Sequence, residues 1–195
     1  STNMEITAEK IMQQLSAGTQ VAGVIAVFGE EGYYKDKIAA ALPRAVFGDA
    51  APEDREITVF ERDTDIKEIS AAVNTYPFFS GRSLVIIKDE KLWGGKDGGE
   101  KRKQQQEELA ELLADVPEHC QVLLLGEKID KRGKLYKSLL KTAAMVECKS
   151  LKSYQLKPWL DEQAALRGCR FDYEASQTIM EYLSVTDNAP LLLLE

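Results

Sequence analysis

Residues 29–36 read Gly-Glu-Glu-Gly-Tyr-Tyr-Lys-Asp and follow directly on an apolar run. A phosphate-binding loop has the pattern GxxxxGK[ST]. Its glycines let backbone N–H groups wrap the phosphates, its lysine reaches the outer phosphates, and its hydroxyl holds magnesium. Aligned on Gly29, the lysine survives as Lys35, but Tyr34 replaces the second glycine and Asp36 the hydroxyl, and Glu30 and Glu31 line the turn. Two carboxylates repel a polyphosphate, and Tyr34 puts a Cβ where the backbone must approach closely. The position suits a nucleotide and the chemistry does not. Gly29 and Lys35 therefore mark a degenerate phosphate loop, with no nucleotide cofactor and no catalytic residue expected. Residues 84–90, Leu-Val-Ile-Ile-Lys-Asp-Glu, resemble the apolar strand ending in Asp-Glu that carries magnesium and orients water in ATPases. Here Lys88 displaces the carboxylates by one residue, which turns them to the other face of a strand. Asp89 and Glu90 read instead as a solvated charge pair. GxGxxG is absent after the first strand, which disfavours a dinucleotide.

Two other clusters could act on a partner. Residues 74–82 read Asn-Thr-Tyr-Pro-Phe-Phe-Ser-Gly-Arg. Pro77 ends a helix, Ser80-Gly81 signals a turn, and the adjacent Phe78 and Phe79 cannot share one face of any regular element. Either both pack under the turn, or they form a tip that enters a partner's pocket. The stretch Trp93–Gly99 reads as a loop with Gly94-Gly95 and Gly98-Gly99, and the loop from Lys96 to Lys103 ends in Lys101-Arg102-Lys103, at the start of a helix where cations oppose the macrodipole. It is either a solvated turn or a contact to DNA phosphate or an acidic partner.

Metal chemistry has little to work with. Cys120, Cys148 and Cys169 are far apart and His119 is the only histidine, whereas a zinc site needs about four such ligands, usually in close pairs. No metal is expected. Cys120 and Cys148 flank apolar runs and read as small core residues. The odd cysteine count speaks against a secreted disulfide scaffold.

The elements that must position these residues follow from hydrophobic periodicity. Apolar runs at 21–28, 57–60, 84–87, 122–125 and 145–148 predict strands buried on both faces. Amphipathic stretches at 34–42, 66–75, 101–116 and 134–142 alternate with them. The fold class expected is α/β: a RecA/AAA+-like parallel sheet flanked by helices. After Cys148 the pattern becomes helical, at 155–167 with Gly168 as its stop, at 174–183, and in a third helix capped by Asn188. Residues 1–149 are expected to form the α/β domain and 150–195 an incomplete helical lid. The apolar run 191–194 at the chain end points to a longer protein. The net charge of −7 speaks against a nucleic-acid coat, and no run approaches the roughly 20 apolar residues of a membrane span. Residues 1–5 carry no secretory signal pattern, so a cytoplasmic location is expected.

From about Val24 onward, several stretches together resemble the delta subunit of the bacterial DNA polymerase III clamp loader. They are 76–88, the turn Phe28-Gly29-Glu30-Glu31, the run 123–140 with Lys128-Ile129-Asp130-Lys131-Arg132, and 155–160 followed by Gly168. The resemblance implies an ATPase-like subunit that is not an enzyme by itself. Such a subunit binds the ring-shaped sliding clamp (the beta subunit) and opens one of its interfaces during DNA replication. It also implies partnership with the delta-prime and tau/gamma subunits, with primer-template DNA met only within the assembly. In that family two adjacent apolar residues just before the third strand enter a pocket on the clamp, and the matching residues are Phe78 and Phe79. The alternatives are an active P-loop ATPase of the AAA+ class and a DNA-binding module using the loop from Lys96 to Lys103.

Overall fold

Five strands form one parallel sheet in the order β2-β3-β4-β1-β5. They are β1 (Val24–Phe28), β2 (Glu56–Phe60), β3 (Ser83–Ile87), β4 (Cys120–Gly126) and β5 (Ala144–Glu147). The helices are α1 (Ala8–Ser16), α2 (Gly32–Phe47), α3 (Ile66–Asn74), α4 (Gly99–Ala114), α5 (Lys134–Thr142) and α6 (Ser153–Leu166). The structure, a computed structural model, describes residues 5–18, 21–94, 98–149 and 153–166. Two compact units divide the chain: Ser1–Glu30 with Tyr34–Cys148, and Glu31–Tyr33 with Lys149–Glu195.

Each face of the sheet has its own core. Val24, Ala26 and Phe28 of β1 join Val85 and Ile87, Val122 and Leu124 on one face, under Ile69 and Val73 of α3, Leu109 and Leu113 of α4, and Leu139 of α5. Ile25 and Val27 join Leu84, Leu123 and Val146 on the other, under α1 and α2. This partition follows from the two-residue period of strands combined with parallel crossovers that place helices on both sides. The expected α/β architecture is present, and α5 spans the predicted residues.

Three elements differ by more than their end residues from expectation. The helix α1 was not foreseen; Thr7 caps it, accepting from the Lys10 N–H at 3.2 Å, and Ala8, Ile11 and Leu15, at helical spacing, are its buried stripe. The helix α2 runs to Phe47, beyond the predicted end at residue 42, with Pro43 in its interior. Pro43 removes a backbone bond at a cost of about 3 kcal/mol, and burial of Leu42 and Phe47 on the second core offsets much of it. The strand β2 is not buried on both faces: Ile57 and Val59 are 40% and 45% exposed, whereas Phe60 packs on the first core. It is an edge strand, and the cover on the Ile57 side stops short of it.

Of the helical segment after residue 149, α6 lies at Ser153–Leu166, with Leu160 and Ala164 buried. The predicted helices at 174–183 and after Asn188, the run 191–194, Gly168 and Cys169 lie outside the described residues. Cys120 and Cys148 are buried, as core residues should be. No described helix is long and apolar enough to cross a membrane, and no cluster among the described residues could hold a metal ion.

Candidate partner-binding tip and the closed phosphate loop

Asp65 starts α3, its side chain accepting from the Lys67 N–H, and Ile66, Ile69 and Val73 form the face it buries. The helix ends at Asn74. There the Thr75 N–H bonds the Ala71 carbonyl, and the Thr75 hydroxyl donates to the same oxygen at 2.6 Å. Pro77, next but one, has no N–H to continue a helix and is buried. The chain then turns outward. Phe78 is 87% exposed and Phe79 68%, their ring centroids 6.4 Å apart at 46°. Of the two sequence alternatives for this pair, packing under the turn is therefore the wrong one.

The turn is pinned on all sides. Gly81 takes φ 71°, a left-handed conformation that glycine adopts without steric cost. The Ser80 hydroxyl donates to the Arg82 carbonyl at 3.0 Å, and the Arg82 guanidinium donates to the Glu118 carbonyl at 3.2 Å. The Ser83 N–H reaches the His119 carbonyl at 2.8 Å. The Tyr76 ring packs edge-on against the His119 ring at 5.2 Å, and an imidazole nitrogen of His119 lies 3.1 Å from the Val73 carbonyl. On the other flank, the Phe78 N–H donates to both carboxylate oxygens of Glu56, at 3.0 and 2.9 Å. Sequence reasoning missed Glu56 and His119. The first is 22 residues away from its partner, and the second stands out in the sequence only as a potential metal ligand.

The phosphate loop is closed by its own surroundings. Gly29 has φ 136°, and a Cβ there would overlap the Cys148 carbonyl group, lying 2.6 Å from its carbon. The Gly29 N–H donates to the Gly126 carbonyl at 3.1 Å. The Lys35 ammonium folds back onto the Gly29 carbonyl at 2.7 Å and lies 3.5 Å from that of Gly126. The Tyr33 N–H is taken by the Glu31 carboxylate at 2.9 Å. An exposed Glu30 carboxylate stands 4.0 Å from Lys128, a pair worth little in water. The Gly29 and Tyr33 amides and the lysine, which would greet a phosphate, are thus bonded internally. Beside the end of β4, Trp93 is 1% exposed and meets Phe28 edge-on at 5.5 Å, both pressed on Gly126.

Asp89 and Glu90 are not a solvated charge pair. Asp89 is 4% exposed, not solvated. Its carboxylate accepts from the Thr64 N–H and the Lys91 N–H, both at 3.2 Å, and so ties the chain before α3 to the 3-10 turn at Glu90–Leu92. Only Glu90 faces solvent, and it accepts from the Glu127 N–H. The displaced Lys88 pairs with Glu61 at 2.9 Å, a hydrogen bond that holds the Glu61 carboxyl below its usual range. In the basic loop Lys101 and Lys103 are exposed, and Arg102 donates to the Gly94 carbonyl at 2.9 Å. Lys96 lies outside the described residues.

Comparisons with known proteins bear on both regions. The family described as DNA polymerase III, delta subunit, matches residues 27–149, a span that contains Gly29, Lys35, Phe78 and Phe79. A curated relative, DNA polymerase III subunit delta of Bacillus subtilis, is 30% identical over 135 residues, covering 68% of this chain and 39% of the relative. Among solved structures, the Bacillus subtilis DNA clamp loader delta protein gives a TM-score of 0.65 at 20% identity, covering 93% of this chain and 59% of that one. A chain of the E. coli MS115-1 HORMA:CdnC:Trip13 complex gives 0.50 at 13% identity, covering 90% of this chain and 63% of that one. At such identities the two structures speak to the fold alone. The chain spans about two fifths of the curated relative's length.

Proposed function

The chain belongs to the DNA polymerase III delta subunit family, and from that premise we propose that it is a clamp-loader subunit that binds and opens the ring-shaped sliding clamp without turning over nucleotide. Phe78 and Phe79 are its clamp contact. The observation that carries this reading is a pair of adjacent aromatics, 87% and 68% exposed, on a turn bonded at both flanks. Aromatics that leave water for a partner's pocket are the usual centre of binding energy in an interface. A pinned turn also loses little conformational freedom when they do so.

The role is mechanical. The tip docks on the clamp, and the rigid parallel sheet behind it transmits force applied by the loader's ATP-hydrolysing members. Residues 1–149 supply this clamp-binding body and 150–195 begin a helical lid. Supporting that division are the break between compact units after Cys148 and the helix at Ser153–Leu166. The partners are the sliding clamp and the delta-prime and tau/gamma subunits, with primer-template DNA reached only inside the assembly, in the cytoplasm. The internal bonds of Gly29, Glu31 and Lys35 disfavour the ATPase alternative. Net charge of −7 disfavours the free DNA-binding module. The test is a pull-down with the sliding clamp of the same organism. Capture by wild type and not by the Phe78→Ala/Phe79→Ala variant supports the reading, and equal capture of both overturns the assignment of the tip.

A further inference from the structure

We infer that Glu56 is the positioning residue of the clamp-binding tip, an inference that rests on the reading above. Glu56 opens β2, and its main chain is in register with Ser83, the first residue of β3. Its side chain reaches the Phe78 N–H with both carboxylate oxygens, at 3.0 and 2.9 Å. The segment that leaves the body at Phe78 and rejoins it at Ser83 is thus fastened at both feet by one residue, through its backbone at one end and its side chain at the other.

The chemistry suits holding rather than contact. Glu56 sits on the strand face shared with Phe60, which packs on the α3 side of the sheet, so its side chain points to the turn that follows α3. A carboxylate taking an N–H is stronger than a neutral pair. With both oxygens astride one donor, the peptide plane before Phe78 is fixed as well as its distance. Each ring then has only its own side-chain torsions left to order on binding, which is how preorganisation raises affinity. A glutamate reaches across the gap, and an aspartate, one methylene shorter, does not.

Length and acceptor therefore matter more than charge, and this separates positioning from a plain surface charge. With the purified sliding-clamp ring of the same organism as the probe, Glu56→Ala and Glu56→Asp should each weaken binding about tenfold. Glu56→Gln, which keeps the reach and one acceptor oxygen, should lose no more than about threefold. The Phe78 amide should exchange with solvent faster in the Ala and Asp variants than in wild type or Gln. If Ala and Asp bind like wild type while Phe78→Ala/Phe79→Ala does not bind, Glu56 is no positioning residue and the tip assignment stands. If Phe78→Ala/Phe79→Ala binds like wild type, the tip assignment itself falls. Early melting of both the Ala and Asp variants, by more than a few degrees, would overturn positioning in favour of a structural role for Glu56.

Discussion

Truncating both aromatics of the tip separates binding from folding, because the two effects draw on different parts of the same side chains. Phe78 and Phe79 are 87% and 68% exposed, so most of their apolar surface contributes nothing to the core. Full burial of a phenylalanine is worth about 1.5–3 kcal/mol. On that scale the surface already covered adds up to about 1 kcal/mol of folding stability for the pair. The surface still open for a partner is worth about 2–5 kcal/mol. The Phe78→Ala/Phe79→Ala variant should therefore lose affinity for the sliding clamp by a factor of about fifty to several thousand. Its melting temperature should fall by only about 2–4 °C, the shift expected for a chain of this size. Clamp binding is measured by calorimetry or surface plasmon resonance, and folding by thermal unfolding followed by circular dichroism. The reasoning is refuted if the variant melts far below wild type while its folded fraction still binds the clamp, since the rings would then belong to the core.

Gly29→Ala drives a Cβ into the Cys148 carbonyl at a backbone angle that favours glycine, so thermal unfolding should show a loss of about 2–6 kcal/mol. A melting temperature near wild type would mean the loop is not as tightly closed as described. Calorimetric titration with Mg-ATP should show no binding tighter than about 100 μM, because the loop's amide at Tyr33 and ammonium at Lys35 are already bonded within the chain. Burial pushes the Cys120 thiol above its usual value, so it should react with a thiol reagent at neutral pH only as fast as the chain unfolds; prompt modification in the folded state would contradict its burial. The folded thiol's pKa is raised, so the associated stability is whole below the unfolded pKa and is lost as pH rises through the folded one. Replacing Cys120 by alanine should accordingly flatten the fall in melting temperature across that alkaline window.

The sheet was legible because its strands are short, continuous and rich in Val, Ile and Leu, a pattern that parallel strands covered on both faces leave in a sequence. The helix α5 was legible to the residue because Leu135 and Leu139 repeat at helical spacing among lysines. What escaped depended on distance along the chain. The buried stripe of α1 is Ala8, Ile11 and Leu15, with only two large apolar side chains to stand out before a strong strand. The exposure of Ile57 and Val59 follows from β2 lying at the sheet's edge, which strand composition does not reveal. Asp89 resembled a surface charge because its partner Thr64 is 25 residues away. At the candidate site, the aromatics were visible as two neighbours with no common face, and Pro77 and Gly81 marked the turn. Glu56 was not visible: a side chain that acts on a backbone amide leaves no spacing to recognise.

The two margins of the sheet are finished differently. On one, the Ile6 N–H bonds the Met145 carbonyl of β5 and Glu5 forms an isolated bridge to Met145. On the other, no described strand pairs with the outer side of β2, and Ile57 and Val59 project beside that free row of amides and carbonyls. Such a margin invites recruitment of another strand and, from there, aggregation. The guard here is electrostatic: Glu53, Asp54, Glu56 and Glu61 outnumber Arg55 and Arg62 along and at the ends of β2, so two copies brought edge to edge meet a net like charge. Salt screens that repulsion over roughly 10 Å at 0.1 M. The colloidal stability of the isolated chain is therefore tied to ionic strength, and concentrated stocks should keep best in dilute buffer, where the acidic margin repels at full range.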